Sequence, residues 1–408
     1  MHEQCLVVTG LMKRDNGPGV PWGGRLDPAN WRRDVAQLPQ KATGIATTVL
    51  ALALIARLTL KPMGTTFPTH FDVCLLCGET GTANFVLNIV LFVPLGLGLR
   101  LIGVPRWAIC VIGFAMTVSI ETLQFYVVPG RDSDLSDIIA NTAGAVAGIA
   151  VVDFHRMWLM PSSHVAGWLG GVTALCICTG AALVQWSLAP WLSHAVYYEQ
   201  IAPDLPGYAL FNGAVSDATF DGAGIGIGRM SMTASAAMRD SLLADSAVIA
   251  VTMQPGTTRN EVAPIVAVHD ISRREIFLLA RRGDDLLFRL RRRTAVLGFH
   301  TPSAVLTGAF PTAAAATDTL AVRAVVASGS TTLYVARSGP HGATNLRRRV
   351  SQGLWDAWRL FIPDEGRWGR HAAELTLLSM AFLFAPIGYW SGRGARHEGM
   401  TLSVISIA

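Results

Sequence analysis

Six stretches of this chain, 42–60, 84–103, 106–125, 137–154, 168–190 and 371–390, are apolar over about the twenty residues that a helix needs to cross a bilayer. Inside lipid every backbone group must be bonded within the protein, so segments of this length are expected to be helices. At 51% hydrophobic and 15% charged, the chain is too apolar for an ordinary soluble protein. The fourth stretch is mostly alanine, glycine and valine. Its Gly144 and Gly148, four apart, suit close approach of a neighbouring helix.

A fold class follows: a multi-domain membrane protein, with a polytopic α-helical bundle of about six transmembrane helices and an all-β sandwich of the jelly-roll kind. Residues 1–41 are polar and rich in glycine and proline, and are expected to be a disordered arm without a cleavable signal peptide. The bundle occupies 42–190, the sandwich 191–370, the last transmembrane helix 371–390 and a tail 391–408. Lys13, Arg14, Arg25, Arg32, Arg33 and Lys41 of the arm lie on the same side as Arg100, Arg106, Arg156, Arg393 and Arg396, whereas the opposite short loops carry only Lys61 and Arg131. By the positive-inside rule both termini are expected to be cytoplasmic and 191–370 extracytoplasmic. These charges account for the net +5, so no nucleic-acid partner is implied.

Polar residues inside the apolar runs are costly in lipid and mark packing or functional positions. With that topology Asn84, Asn88, Ser119, Glu121, Gln124, Asp137 and Asn141 all fall within roughly 10 Å of the outer boundary, at 1.5 Å rise per residue. Arg131 and Asp134 lie in the turn between the third and fourth spans. Arg57, near the outer end of the first span, is the expected ion-pair partner of Glu121 or Asp137. His371 and Glu374, opening the last span, are placed to extend the polar pocket. Interfacial acids and amides also glue helices together, which is the structural alternative for each of them.

Cys110, Cys176 and Cys178 lie in spans and read as small apolar residues. Cys74 and Cys77, in the first outer loop, suit a short disulfide or two free thiols. His70 before them makes a metal site a further alternative, although a single CxxC is weak metal evidence.

Three motifs in this order, Asn88-x-x-x-Phe92-x-Pro94-Leu95-Gly96, Ser119-x-Glu121-x-x-Gln124 and Arg131-x-x-Asp134-x-x-Asp137-x-x-x-Asn141-x-x-Gly144, resemble the VanZ-like family of bacterial membrane proteins over about 45–155. The resemblance implies a membrane bundle in the cell envelope, with Glu121, Gln124, Arg131, Asp134, Asp137 and Asn141 as its marked positions. The family's namesake accompanies glycopeptide-resistance genes. The extra pair of spans around a large insert departs from the simplest members.

Within 191–370 short strands are expected at 208–212, 246–253, 264–269, 275–281, 286–292, 320–327 and 331–337, with Gly283-Asp284 as a hairpin turn. Basic and aromatic residues at helical spacing over 346–361 suggest an interfacial helix, or a helix that returns the chain to the last span. The layout, with Leu210-Phe211-Asn212-Gly213 near its start, resembles laminin-G and concanavalin A-like domains. That likeness implies carbohydrate binding, with calcium as a possible cofactor; Asp217, Asp221, Asp284 and Asp285 are its candidate ligands.

The leading expectation is an envelope protein that recognises a glycan, lipid-linked saccharide or lipoglycopeptide at the outer face of the bilayer. Catalysis at the Glu121/Asp137 pocket is the alternative, with Arg131 or Arg57 holding an anionic group, but no nucleophile–base pair accompanies it. Transport is disfavoured because the polar set does not continue to the cytoplasmic side.

Overall fold

The structure is a computed structural model that describes residues 28–62, 71, 73–76, 78–131, 133–244, 247–256, 261–310, 318–327, 329–338, 343–362 and 371–398. Its helices α1 (Pro28–Thr59), α2 (Gly81–Ile102), α3 (Arg106–Tyr126), α4 (Leu135–Asp153), α6 (Ser163–Ser187) and α9 (Ala372–Glu398) are long and apolar enough to cross a membrane, and a short α5 (His155–Leu159) follows α4. The chain is a multi-pass membrane protein with a β domain between its fifth and sixth spans. Helix α1 begins at Pro28, within the segment expected to be disordered, although its apolar part starts only at Pro39.

The spans form two groups. In the first, α1–α4, the closest packing is between α2 and α4. It depends on missing side chains: a Cβ on Gly96 would strike the Ala145 carbonyl, one on Gly144 the Ile89 carbonyl, and one on Gly148 the Val93 carbonyl. Small residues thus let two backbones meet, as expected where lipid supplies no hydrophobic drive between helices. Ala51, Ile55, Phe92, Leu95 and Ile120 fill the space among α1, α2 and α3. At the end away from the β domain, Asp153 joins α4 to its neighbours by accepting from Arg100 at 2.7 Å and Arg106 at 2.6 Å. The second group is α6 with α9, which bury Ala166, Leu169 and Trp390 against each other. Among the described residues this pair packs only slightly on α1–α4. Trp390 Nε1 donates to the Trp158 carbonyl at 3.0 Å and ties the pair to α5.

The β domain runs β1 (Tyr197–Ile201), β2 (Ala214–Phe220), β3 (Ala223–Gly224), β4 (Gly228–Arg229), α7 (Met232–Leu243), β5 (Val248–Gln254), β6 (Val262–Asp270), β7 (Glu275–Arg282), β8 (Asp285–Leu290), α8 (Arg293–Val296), β9 (Ala304–Leu306), β10 (Thr319–Ala327), β11 (Ser330–Ser338) and β12 (Thr344–Ser351), followed by a 3-10 turn at Leu354–Leu360. Two six-stranded antiparallel sheets result, in the orders β4-β1-β6-β7-β8-β9 and β12-β11-β10-β5-β2-β3. Their inner faces bury Phe220, Ile249, Phe277, Phe288, Leu320 and Leu333 in one core. The expected hairpin at Gly283 joins β7 to β8, with that glycine at φ 56°.

Two expectations are corrected. Residues 208–212 are not a strand; the segment lies over the first sheet, where Leu205 and Tyr208 pack against Ala267, Leu278 and Ala280. Residues 346–361 are not one helix. Arg347, Arg348 and Arg349 sit on β12, held extended by pairing with β11 along its length, and only Leu354–Leu360 turns. That 3-10 turn leads back to α9, with Trp358 Nε1 donating to Thr376 Oγ1 at 3.1 Å.

The sandwich sits on the bundle end formed by the N-terminus of α2 and the C-terminus of α6. The Ala83 amide donates to the Gly298 carbonyl at 3.0 Å, and Arg292 donates to the Leu188 carbonyl at 2.5 Å. The marked polar residues of α1–α4 lie at this same end.

Candidate functional site

Helix α3 turns Thr117, Ile120, Glu121 and Gln124 inward, one face at helical spacing. Gln124 Nε2 donates to the Thr59 carbonyl of α1 at 3.0 Å. One oxygen of Glu121, Oε2, accepts from the Asp134 amide at 3.1 Å, and the Glu121 carbonyl accepts from Ser133 Oγ at 3.0 Å. Asp134 is the N-cap of α4 and accepts from the Asp137 amide at 2.9 Å. Asp137 accepts from Asn88 of α2 at 2.5 Å, and Asn141 donates to Thr117 Oγ1 at 2.6 Å. Arg131 donates to the carbonyls of Leu58 and Lys61. It closes the C-terminus of α1, where carbonyls lack helical partners and a cation opposes the dipole. Burial holds the Arg131 guanidinium below its ordinary value, with Asp137 acting in the other direction.

The marked residues therefore do come together, but mostly as fasteners between helices. Three buried acceptors are left over: among the described residues Glu121 Oε1, Gln124 Oε1 and Asn141 Oδ1 have no hydrogen-bond partner. Several expected members are elsewhere. Ser119 is exposed and bonds back to the Ala115 carbonyl, because it is two residues from Glu121 and on the opposite side of the helix. Thr117, four residues before Glu121, holds the inward place that sequence reading gave to Ser119. Arg57 is exposed and meets neither carboxylate, since Ile55 and Thr59 are the residues of α1 turned inward there. Asn84 is exposed, and among the described residues its side chain bonds only Thr80. His371 and Glu374 belong to the α6–α9 group and do not extend the cluster. Cys74 is disulfide-bonded; Cys77 and His70 lie outside the described residues.

In the sandwich, registers place a groove of about 490 Å³ on the outer face of the second sheet. One row across it reads Arg347, Tyr334, Arg323, Ala250, Thr219; the next reads Asn345, Ala336, Ala321, Thr252, Asp217. Small side chains make the floor, and larger polar ones rise at the sides. The Arg347 guanidinium lies 5.2 Å from the centre of the Tyr334 ring. Among the described residues neither Arg323 nor Arg347 has a carboxylate partner.

A second cavity, of about 200 Å³, lies where the sandwich meets the start of α2, lined by Glu79, Thr80, Tyr208, Arg289, Arg291 and His300 among others. Arg289 is engaged there, donating to Glu275 at 2.6 Å and to the Tyr208 hydroxyl. Burial, followed by the Arg289 charge, holds the His300 imidazole below its ordinary value. Of the candidate calcium ligands, Asp221 accepts from Ser241 and the Val248 amide, while Asp285 pairs with Arg282. Among the described residues no three acids, histidines or cysteines converge as a metal site.

Residues 32–156 match the VanZ/LLP1 family model. A VanZ-type membrane domain thus covers α1 from residue 32 onward, α2, α3 and α4, and ends at the start of α5. The match stops before α6, so the α6–α9 pair and the sandwich lie outside it. No curated protein and no solved structure shows significant similarity to the chain.

Proposed function

We propose that this VanZ-type membrane protein recognises an envelope glycan, free or lipid-linked, through its sandwich, and that the membrane domain holds the sandwich at the outer face of a bacterial cytoplasmic membrane with both termini inside. The observation that carries this reading is the groove across the second sheet. Its floor of Ala250, Ala321, Ala336 and Thr252 leaves room for an extended chain. Arg323 and Arg347 line it with guanidinium groups that have no acid partner among the described residues, suited to bidentate contacts with carboxylate or phosphate oxygens. The favoured ligand is a linear saccharide that carries such groups, and a lipoglycopeptide is a narrower case of the same chemistry.

The test uses the full chain in nanodiscs, titrated with oligogalacturonate, a glycerol-phosphate polymer and neutral dextran, with and without calcium. Saturable, salt-sensitive binding of one anionic polymer, lost at least tenfold in the R323A/R347A double variant, is the expected result. Arg348, on the same strand but paired with the buried Leu333 and so on the other face, is the control, and R348A should bind normally. Equal loss in R348A, or equal affinity for polyuridylate, would overturn the saccharide reading.

A further inference from the structure

A third cavity, of about 200 Å³, lies where the last turn of α6 meets the sandwich and is lined by Gln185, Leu188, Arg292, Ser330 and Gln352 among others. Arg292 is buried, 9% exposed. Its protein contacts are unusual for a buried cation. Nη1 donates to the Leu188 carbonyl, Nε has no partner, and no carboxylate among the described residues pairs with it. Burial lowers the guanidinium to about 10, so it is still charged at neutral pH. A buried charge without a counter-charge is strongly unfavourable, and the usual remedy is an opposite charge beside it.

The other groups lining the cavity define what could supply that charge. Gln185 is exposed, and its side-chain amide makes no hydrogen bond among the described residues. Ser330 Oγ already accepts from Arg349 at 3.1 Å, which leaves its own proton to donate. Donors thus surround the space. Gln352 Oε1 is a buried acceptor with no donor among the described residues, although its Nε2 is engaged with the Pro302 carbonyl at 3.2 Å. A bare anion would leave that oxygen unsatisfied, whereas a hydroxyl or amine beyond the anionic group would satisfy it.

The level of the cavity narrows the source. It opens beside Ser187, where the α6 span ends, and Trp186 and Trp191 are half exposed at this level with the Arg293 guanidinium 4.9 and 5.4 Å from their rings. Tryptophan and arginine at a span end mark the headgroup region of a bilayer.

We infer that the Arg292 cavity binds the phosphodiester of a lipid headgroup, with Arg292 and Ser330 on the phosphate and Gln352 Oε1 accepting from a headgroup hydroxyl or amine. The site is separate from the groove of the second sheet and stands whether or not that groove binds saccharide. A lipid held there would seat the sandwich on α6 through a component of the bilayer itself.

The full chain, purified in a non-ionic detergent and stripped of lipid, is heated in the presence of dihexanoyl phosphatidylglycerol, inorganic phosphate or sulfate. We expect a saturable rise of the unfolding midpoint with the short-chain lipid, a smaller one with phosphate, and none of the lipid response in R292M. R292M lacks the uncompensated charge and should be at least as stable as wild type without lipid. Should R292M fail to fold, A327L, which fills the cavity and keeps Arg292, should lose the lipid response instead. No lipid response in wild type overturns the site, as does an equal response in R292M or A327L. An equal rise with inorganic phosphate overturns the lipid assignment, and an equal rise with sulfate overturns the choice of phosphate.

Discussion

The membrane domain and the sandwich contain the same polar residue types and use them in opposite ways. In α1–α4 and the turn before α4, most of the inward-facing acids and amides, together with Arg131, are engaged with one another or with helix ends: Asn88 with Asp137, Asp134 with the start of α4, Arg131 with the end of α1. On the outer face of the second sheet, Arg323 and Arg347 stand over small residues with no acid partner among the described residues. Lipid accounts for the first pattern, because a polar group there has no water to fall back on. Water accounts for the second, because an exposed guanidinium is solvated until a ligand replaces the solvent. Polar residues at membrane depth therefore report on assembly, whereas the arginines above it are left to solvent.

The largest effect should come from the membrane side. G144V places two methyl groups where the backbone of α2 already stands, with Ile89 and Phe92 nearest. Overpacking of this kind costs about 3 kcal/mol or more when backbone has to move. Unfolding of the full chain in mixed micelles should show that loss, and a near-wild-type G144V would mean that α2 and α4 are not closely packed.

Next in size is a direct contrast between arginines. R131A leaves the Leu58 and Lys61 carbonyls without their donor and should cost about 1–2 kcal/mol. R323A and R347A remove no ion pair among the described residues and should stay within about 0.5 kcal/mol of wild type. Equal losses in the same micelle assay would erase the distinction between engaged and free arginines.

How far the sequence could go follows from the same contrast. Spans were legible because hydropathy is a local property, and Gly144 and Gly148 announced the close contact that α4 makes. The polar cluster was legible as a set of residues but not in its rotation. Thr117, Glu121 and Gln124 share a face by spacing alone, so the sequence did hold the signal that separates Thr117 from Ser119. For Arg57 the inward neighbours Ile55 and Thr59 become evident only once α3 is in place. In the sandwich, β12 was hidden because its extended form depends on pairing with β11, a non-local contact that helical spacing of Trp355 and Trp358 masked. The groove depends on register between five strands and had no sequence signature at all.

The rotation of α3 gives a smaller test. T117V removes the acceptor of Asn141 Nδ2 inside the bundle and should cost about 1 kcal/mol. S119A, on the exposed side of the same helix, should change stability by less than about 0.5 kcal/mol. If the two losses were reversed in order, α3 would present its other face to the bundle.

The smallest effect concerns pH, and it turns on a titratable group at the junction of the two regions. His300 lies where the sandwich meets α2, and burial together with Arg289 holds its imidazole below the ordinary value of about 6.5. The folded chain then binds fewer protons than the unfolded one as pH falls through that value. Its contribution to stability is complete above about 6.5 and is lost on acidification toward the lower, folded value. Carboxylates also titrate as pH drops, so the informative quantity is a difference between two proteins. H300Q keeps a polar side chain but cannot take up a proton, and between pH 7 and 5.5 it should lose less stability than wild type. A parallel fall in both proteins would show that His300 is as free to charge in the folded state as in the unfolded chain, and that the cavity beside α2 is open to water.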